Sequence, residues 1–212
     1  MSKLRLGVFA SGGGTNLQAI IGGCERGDIA ADVAVAFSDK PEAGALDRAR
    51  RHGIAAVHVP VPKTGTDGWL EADRQITAVL QEHEVGLVCL AGYMRKIGPA
   101  LLEAFRGRIM NIHPALLPAF PGVHVQALQL EYGVKVAGCT VHFADEEFDR
   151  GPIIIQAAVP VREDDTAESL AARILEKEHI IYARAIQWFA QGRLRLEGRI
   201  VRIEGVTSAA IL

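Results

Sequence analysis

The chain has 212 residues, with 23 Lys plus Arg against 25 Asp plus Glu. That length can bury a sizeable core, and the balanced charge excludes a basic field for nucleic acid. Cys24, Cys89 and Cys139 lie far apart, which excludes a Cys-x-x-Cys zinc site and a disulfide framework and suits a reducing, cytoplasmic setting. The first ten residues carry no long apolar stretch with a cleavage site, and no run of about 18 apolar residues occurs, so neither a secretory leader nor a membrane span is expected.

Taken in chain order, short apolar runs at Leu4–Ala10, Val33–Phe37, Ala55–Val59, Gly86–Ala91 and Arg108–Ile112 read as strands. Amphipathic segments lie between them, at about Thr15–Arg26, Ala43–His52, Asp67–Glu84 and Pro99–Phe105. Strand alternating with helix predicts right-handed crossovers and a parallel sheet covered on both faces, an α/β, doubly wound, Rossmann-like fold. After Pro114 the pattern changes. A Pro-rich loop leads to a helix at His124–Tyr132, then to strands at Val136–Phe143 and Ile153–Val161 joined by an acidic loop. A long helix follows at Thr166–Ala190, with apolar positions Leu170, Ile174, Ile181, Ile186 and Phe189. Thr166 and Ser169 mark its start and Gly192 its end. The alternating tail Leu194–Ile203 predicts a closing hairpin. Residues 1–105 and 106–212 are expected to be two halves of a single domain sharing one sheet.

Two segments carry chemistry. Ser11-Gly-Gly-Gly-Thr-Asn16 stands between a strand and a helix, where glycine permits close backbone approach and a helix start offers unpaired N–H groups. That context suits phosphate. The loop is neither a dinucleotide fingerprint nor a Walker loop, since no Lys precedes Thr15, and a ligand-free tight turn is the alternative. In Asn111-Ile-His-Pro, Asn111 and His113 are two apart near a strand end and so share a face. An amide donor beside an imidazole can stabilise an oxyanion and move protons. Asp149, in a loop before a later strand, is the candidate carboxylate to orient and charge that imidazole. His124 and His142 could join His113 at a metal, but the spacings match no standard ligand set, so no metal is expected and both read as structural or as support for the site.

These segments together resemble a known family. Asn111-Ile-His-Pro-Ala-Leu-Leu-Pro, Phe120-Pro-Gly, Gly138-Cys-Thr-Val-His-Phe and Asp149-Arg-Gly-Pro-Ile-Ile-Ile-Gln, with Ser-Gly-Gly-Gly-Thr-Asn-Leu-Gln and Ala91-Gly-Tyr-Met-Arg, look like the folate-dependent glycinamide ribonucleotide formyltransferases over about residues 4–192. The resemblance implies 10-formyltetrahydrofolate as formyl donor and the amine of glycinamide ribonucleotide as acceptor, a step of purine biosynthesis. It implies Asn111, His113 and Asp149 as the catalytic trio, and Gly14, Thr15, Asn16 and Glu178 at the acceptor. It implies Met94, Arg95 and Ile97 at the folate, with the 144–149 loop, Asp145 included. No nucleic-acid or membrane partner is implied, and the chain would act as monomer or homodimer. Ala115 stands where many members have Ser, Ala183 where Pro often follows the Tyr, and Trp69 where an Arg is frequent, with Lys63 as a substitute cation. Formyltetrahydrofolate deformylase shares the trio but usually carries an extra N-terminal domain, whereas here the first strand starts at Leu4. Methionyl-tRNA formyltransferase usually adds a basic C-terminal domain. A non-catalytic nucleotide-binding sensor is the reading from another class.

Overall fold

The computed structural model describes residues 3–147 and 149–211. The chain divides into two compact units, Met1–Met110 and Asn111–Leu212.

In the first unit β1 (Leu4–Phe9), β2 (Ala31–Ser38), β3 (Ala55–His58) and β4 (Leu87–Leu90) run in the order β4-β1-β2-β3. Every pairing among them is parallel, as crossovers through α1 (Thr15–Arg26), α2 (Gly44–Arg51) and α3 (Asp67–Glu82) require. The strands are short runs of Leu, Val, Ala and Phe because both faces are covered. Leu6, Val8, Phe9, Leu87 and Val88 are buried with Leu17 and Ile20 of α1 and Leu80 of α3. α3 lies so close to β1 that a Cβ on Gly7 would meet Leu80 at 2.4 Å. A short α4 (Pro99–Ala104), with proline at its start, follows β4.

β5 (Ile109–His113) begins in the first unit and ends in the second. α5 (Val125–Tyr132), β6 (Val136–Phe143), β7 (Ile153–Pro160) and α6 (Ala167–Ala190) then follow. β6 and β7 pair antiparallel, with a register shift between Val141 and His142. The mixture of parallel and antiparallel pairing makes the fold the expected mostly parallel α/β type. α6 opens on a reciprocal capping box between Thr166 and Ser169, a firmer start than the sequence pattern conveys. Its buried stripe includes Leu170, Ile174, Ile181 and Ile186, but Trp188 rather than Phe189 takes the most buried place at its end. The predicted hairpin forms as β8 (Leu194–Glu197) and β9 (Ile200–Ile203). An unforeseen two-residue strand, β10 (Ala210–Ile211), runs parallel to β7; it is too short to carry a periodicity.

Candidate active site

The first unit presents its loops at the carboxyl ends of β1 and β4, where open α/β sheets bind ligands. Gly14 caps α1 in the left-handed conformation, φ 72°, and a Cβ there would lie 2.7 Å from Ala45 Cα, so only glycine fits. Gly12, Gly13 and Thr15 are exposed, whereas Asn16 is turned inward and only 6% exposed. The 91–98 loop is anchored at several points. Met94 N–H donates to the Ser11 hydroxyl at 2.9 Å, and Arg95 Nε donates to Asp39 Oδ2 at 2.7 Å. Burial alone would raise the Asp39 carboxyl, but the Ser11 hydroxyl and the Arg95 guanidinium outweigh it and hold it below its ordinary value. Trp69 donates its indole N–H to the Lys96 carbonyl at 3.1 Å. Met94 is 63% exposed, while Ile97 is half-buried beside Phe9, Trp69 and Tyr93.

Asp73, which the sequence reading passed over as part of an amphipathic helix, is the strongest of these anchors. Its carboxylate accepts N–H bonds from Gly98 at 3.1 Å, Ala100 at 2.7 Å and Leu101 at 3.4 Å, capping α4 from outside. Gly98 leaves it room, since a Cβ would overlap the Asp73 carboxylate at 2.2 Å. A buried Asp six residues into a helix, with its partners 25 or more positions away, has no signal in a single sequence.

In the second unit β5 brings Asn111 and His113 to the same end, and the tight 149–153 turn before β7 delivers Asp149. Gly151 makes that turn possible: a Cβ there would lie 1.7 Å from the Phe143 carbonyl oxygen, whose own N–H bonds Pro152 O at 2.9 Å. Asp149 adopts φ 55°, a conformation that costs a non-glycine residue about 1 kcal/mol. Its carboxylate takes Gly122 N–H at 2.9 Å on Oδ2 and Asn111 Nδ2 at 3.3 Å on Oδ1. His113 Nδ1 stands 3.4 Å from Oδ2, and His142 Nε2 stands 3.8 Å from Oδ1. The structure therefore gathers Asn111, His113 and Asp149, and adds His142, for which the sequence allows a structural or a supporting place.

His142 has a definable task. Its Nδ1 faces the Phe143 carbonyl at 2.9 Å, so a neutral ring carries its hydrogen there and offers the Nε2 lone pair to Asn111 Nδ2, 3.1 Å away. This fixes which end of the Asn111 amide faces the cluster. Both hydrogens of the Asn111 amide nitrogen are thereby engaged, one on His142 and one on Asp149, the second at the longer distance.

The expectation that Asp149 keeps His113 charged is corrected. Burial, with His113 4% exposed, is the largest influence and lowers its proton affinity; the Phe120 carbonyl and the Asp149 charge pull upward without overcoming it. Asp149 goes the other way from burial: buried as it is, the His142 ring facing Oδ1, the Gly122 N–H bond and the charge the two imidazoles carry when protonated hold it below its ordinary value. Yet Nε2 of His113 lies 2.8 Å from the Phe120 carbonyl and Nδ1 faces a carboxylate, so both ring nitrogens face acceptors. A neutral ring can satisfy only one of them. Burial favours the neutral ring, while the protonated form finds an acceptor on each side.

The remaining sequence candidates have these surroundings. Glu178 is buried on α6. Asp145 is exposed and accepts the Glu147 N–H at 3.0 Å, capping its own turn. His124 starts α5 in a left-handed conformation. Among the described residues no group of three or more His, Cys, Asp or Glu is disposed to hold a metal ion, and no helix is long and apolar enough to cross a membrane.

The family profile described as "Formyl transferase" matches residues 4–186. The phosphoribosylglycinamide formyltransferase of Escherichia coli K12 is 40% identical over 198 residues, 93% of this chain and 92% of that protein. Glycinamide ribonucleotide transformylase 1 from Symbiobacterium toebii superimposes with a TM-score of 0.90 at 54% identity, covering 95% of this chain and 94% of that one. A formyltetrahydrofolate deformylase from Pseudomonas syringae superimposes with a TM-score of 0.88 at 26% identity, covering 95% of this chain but 66% of that one. The fold alone therefore does not separate transferase from hydrolase, but the identities do. The chain belongs to the formyl transferase family, and within it to the phosphoribosylglycinamide formyltransferases.

Proposed function

We propose that the chain transfers the formyl group of 10-formyltetrahydrofolate to the primary amine of glycinamide ribonucleotide, in the cytoplasm, as a step of purine synthesis. The observation that carries the reading is the cluster of Asn111, His113 and Asp149 in one buried corner of a chain 40% identical to a formyltransferase of that name. The amine nitrogen attacks the formyl carbon and gives a tetrahedral intermediate with a negative oxygen. Asn111 gives up its longer bond to Asp149 and turns that N–H to the oxygen, while His142 keeps the amide oriented. His113 takes a proton from the former amine, and Asp149 and the Phe120 carbonyl stabilise the imidazolium that results. The proton then passes to the departing folate nitrogen, directly or through a water, as the carbon–nitrogen bond to the folate breaks. The products are the formylated acceptor and tetrahydrofolate, and no metal or covalent enzyme intermediate enters.

Gly14, Thr15 and Asn16 take the acceptor phosphate, with Glu178 near the acceptor. Met94, Arg95, Ile97 and Asp145 serve the folate. The buried position of Asn16 makes backbone N–H groups, rather than its side chain, the main phosphate donors of the loop. Trp69, engaged with the Lys96 carbonyl, supports the folate loop rather than the phosphate. The test follows the folate absorbance change with and without the ribonucleotide. Acceptor-dependent turnover supports the transferase, acceptor-independent turnover the deformylase, and no turnover the sensor.

A further inference from the structure

We propose that Arg48 is the positioning residue that aims the Gly13 and Gly14 N–H groups at the acceptor's phosphate. The inference rests on the reading of the 12–16 loop as a phosphate cradle and adds the element that holds it in shape. Three consecutive glycines make a loop with wide backbone freedom, so a defined anion site needs restraints supplied from outside. α2 supplies two. Ala45 N–H donates to the Gly12 carbonyl at 3.1 Å, and Arg48 Nε donates to the Gly13 carbonyl at 2.7 Å. In a planar trans peptide the carbonyl and the following N–H point in opposite directions. Drawing the Gly12 and Gly13 carbonyls toward α2 therefore turns the N–H groups of Gly13 and Gly14 away from it. Two successive N–H groups directed outward form a nest for an anion.

Arginine suits this place for a geometric reason. Its planar fork reaches two acceptors at once: Nε the Gly13 carbonyl, and one terminal nitrogen the Gln18 side-chain oxygen on α1 at 3.3 Å. Gln18 is in turn held by His52, its amide nitrogen 3.1 Å from Nε2, while Nδ1 of the same ring is 2.7 Å from Glu25. The loop is thus strapped between α1 and α2 through one side chain. Arg48 makes the contact with the loop backbone and none of the contacts of the trio, so its influence falls on acceptor affinity.

Inorganic phosphate, used as an inhibitor competitive with the ribonucleotide, gives the readout. Arg48→Met keeps length and helix propensity but removes the fork. It should raise the phosphate inhibition constant and the ribonucleotide KM roughly tenfold or more, a loss on the scale of one charge-assisted hydrogen bond. Turnover at saturation and the folate KM should stay within about threefold. Arg50→Met, on the same helix but paired with Asp47, should leave phosphate inhibition unchanged. Equal effects of the two variants would reduce the role to general charge and overturn the proposal. Phosphate inhibition kept at the wild-type level in Arg48→Met would overturn the role of Arg48 alone. No competition by phosphate in the wild type would overturn the cradle and this role together. Melting of each variant, measured on the same preparation, separates a misfolded α2 from a displaced loop: a loss of affinity that merely tracks a lowered melting temperature counts against the proposal.

Discussion

His113 holds its Nδ1 3.4 Å from Asp149 Oδ2, yet the imidazole rests below its ordinary proton affinity because burial outweighs the neighbouring carboxylate. In the proposed mechanism the pair receives a proton during the reaction rather than carrying one beforehand. Asp149→Asn keeps the shape and removes the charge that stabilises the newly formed imidazolium. Turnover should fall by about two orders of magnitude, the scale of a general base losing its partner, with folate affinity changed far less. The acid limb of kcat/KM in the wild type should lie below the ordinary histidine value of 6.5, and in Asp149→Asn it should move lower still. A wild-type limb above that value would show a resting imidazolium.

The same shift governs stability. A histidine whose folded pKa is depressed leaves the unfolded chain to bind its proton first, so stability falls as pH drops through about 6.5 and levels once folded His113 is protonated. Asp149 adds a second loss at lower pH: its depressed carboxyl contributes stability above 3.8 that disappears as pH falls through the folded value below that. His113→Asn should flatten the melting-temperature profile just below pH 6.5 and shrink the more acidic loss without abolishing it, since His142 and Gly122 still lower Asp149. An unchanged profile would separate His113 from the effect.

Asn111 should act on the transition state. Asn111→Ala should cost roughly 3–4 kcal/mol of turnover, as removal of other oxyanion donors does, with both Michaelis constants within a few-fold. Asn111→Asp should be worse, because it puts a negative charge beside the oxyanion. A variant that melts lower yet turns over normally would make Asn111 only a structural link between β5 and Asp149.

His142→Phe keeps a ring in the buried place and removes the lone pair that orients the Asn111 amide. Turnover should fall about tenfold, the worth of one neutral hydrogen bond in a buried site, and the combination with Asn111→Ala should cost little beyond Asn111→Ala alone. Additive losses would show that His142 acts independently.

The fold was largely legible because each strand and helix carries its own period, and the Asn111, His113 and Asp149 trio because the family signature surrounds it. What could not be read were relations that only folding creates. His142 sits in an ordinary-looking strand, and the register shift beside Val141 together with the neighbouring β5 gives it its partner. The direction in which His113 is shifted depends on burial, which a sequence does not state and which outweighs the Asp149 charge. Asp73 and Arg48 read as the polar face of amphipathic helices, and only the packing of α3 and α2 against the ligand loops gives them work.

Asp73→Ala should expose that kind of role. It leaves three N–H groups at the start of α4 without their acceptor and should cost about 1–3 kcal/mol of stability. The folate KM should rise more than the ribonucleotide KM, because the 91–98 loop loses its far anchor. Calorimetric melting with both Michaelis constants checks this, and a stable variant with unaltered folate affinity would show that the 91–98 loop is held elsewhere.

The fate of the formyl carbon tests the central claim most directly. Formyl-labelled 10-formyltetrahydrofolate is turned over with the ribonucleotide present, and the label is partitioned between formylated acceptor and free formate. Nearly all of it should appear on the acceptor, and almost none should be released when the acceptor is withheld. Label released as formate at the same rate with or without the ribonucleotide would make the protein a hydrolase and contradict the account.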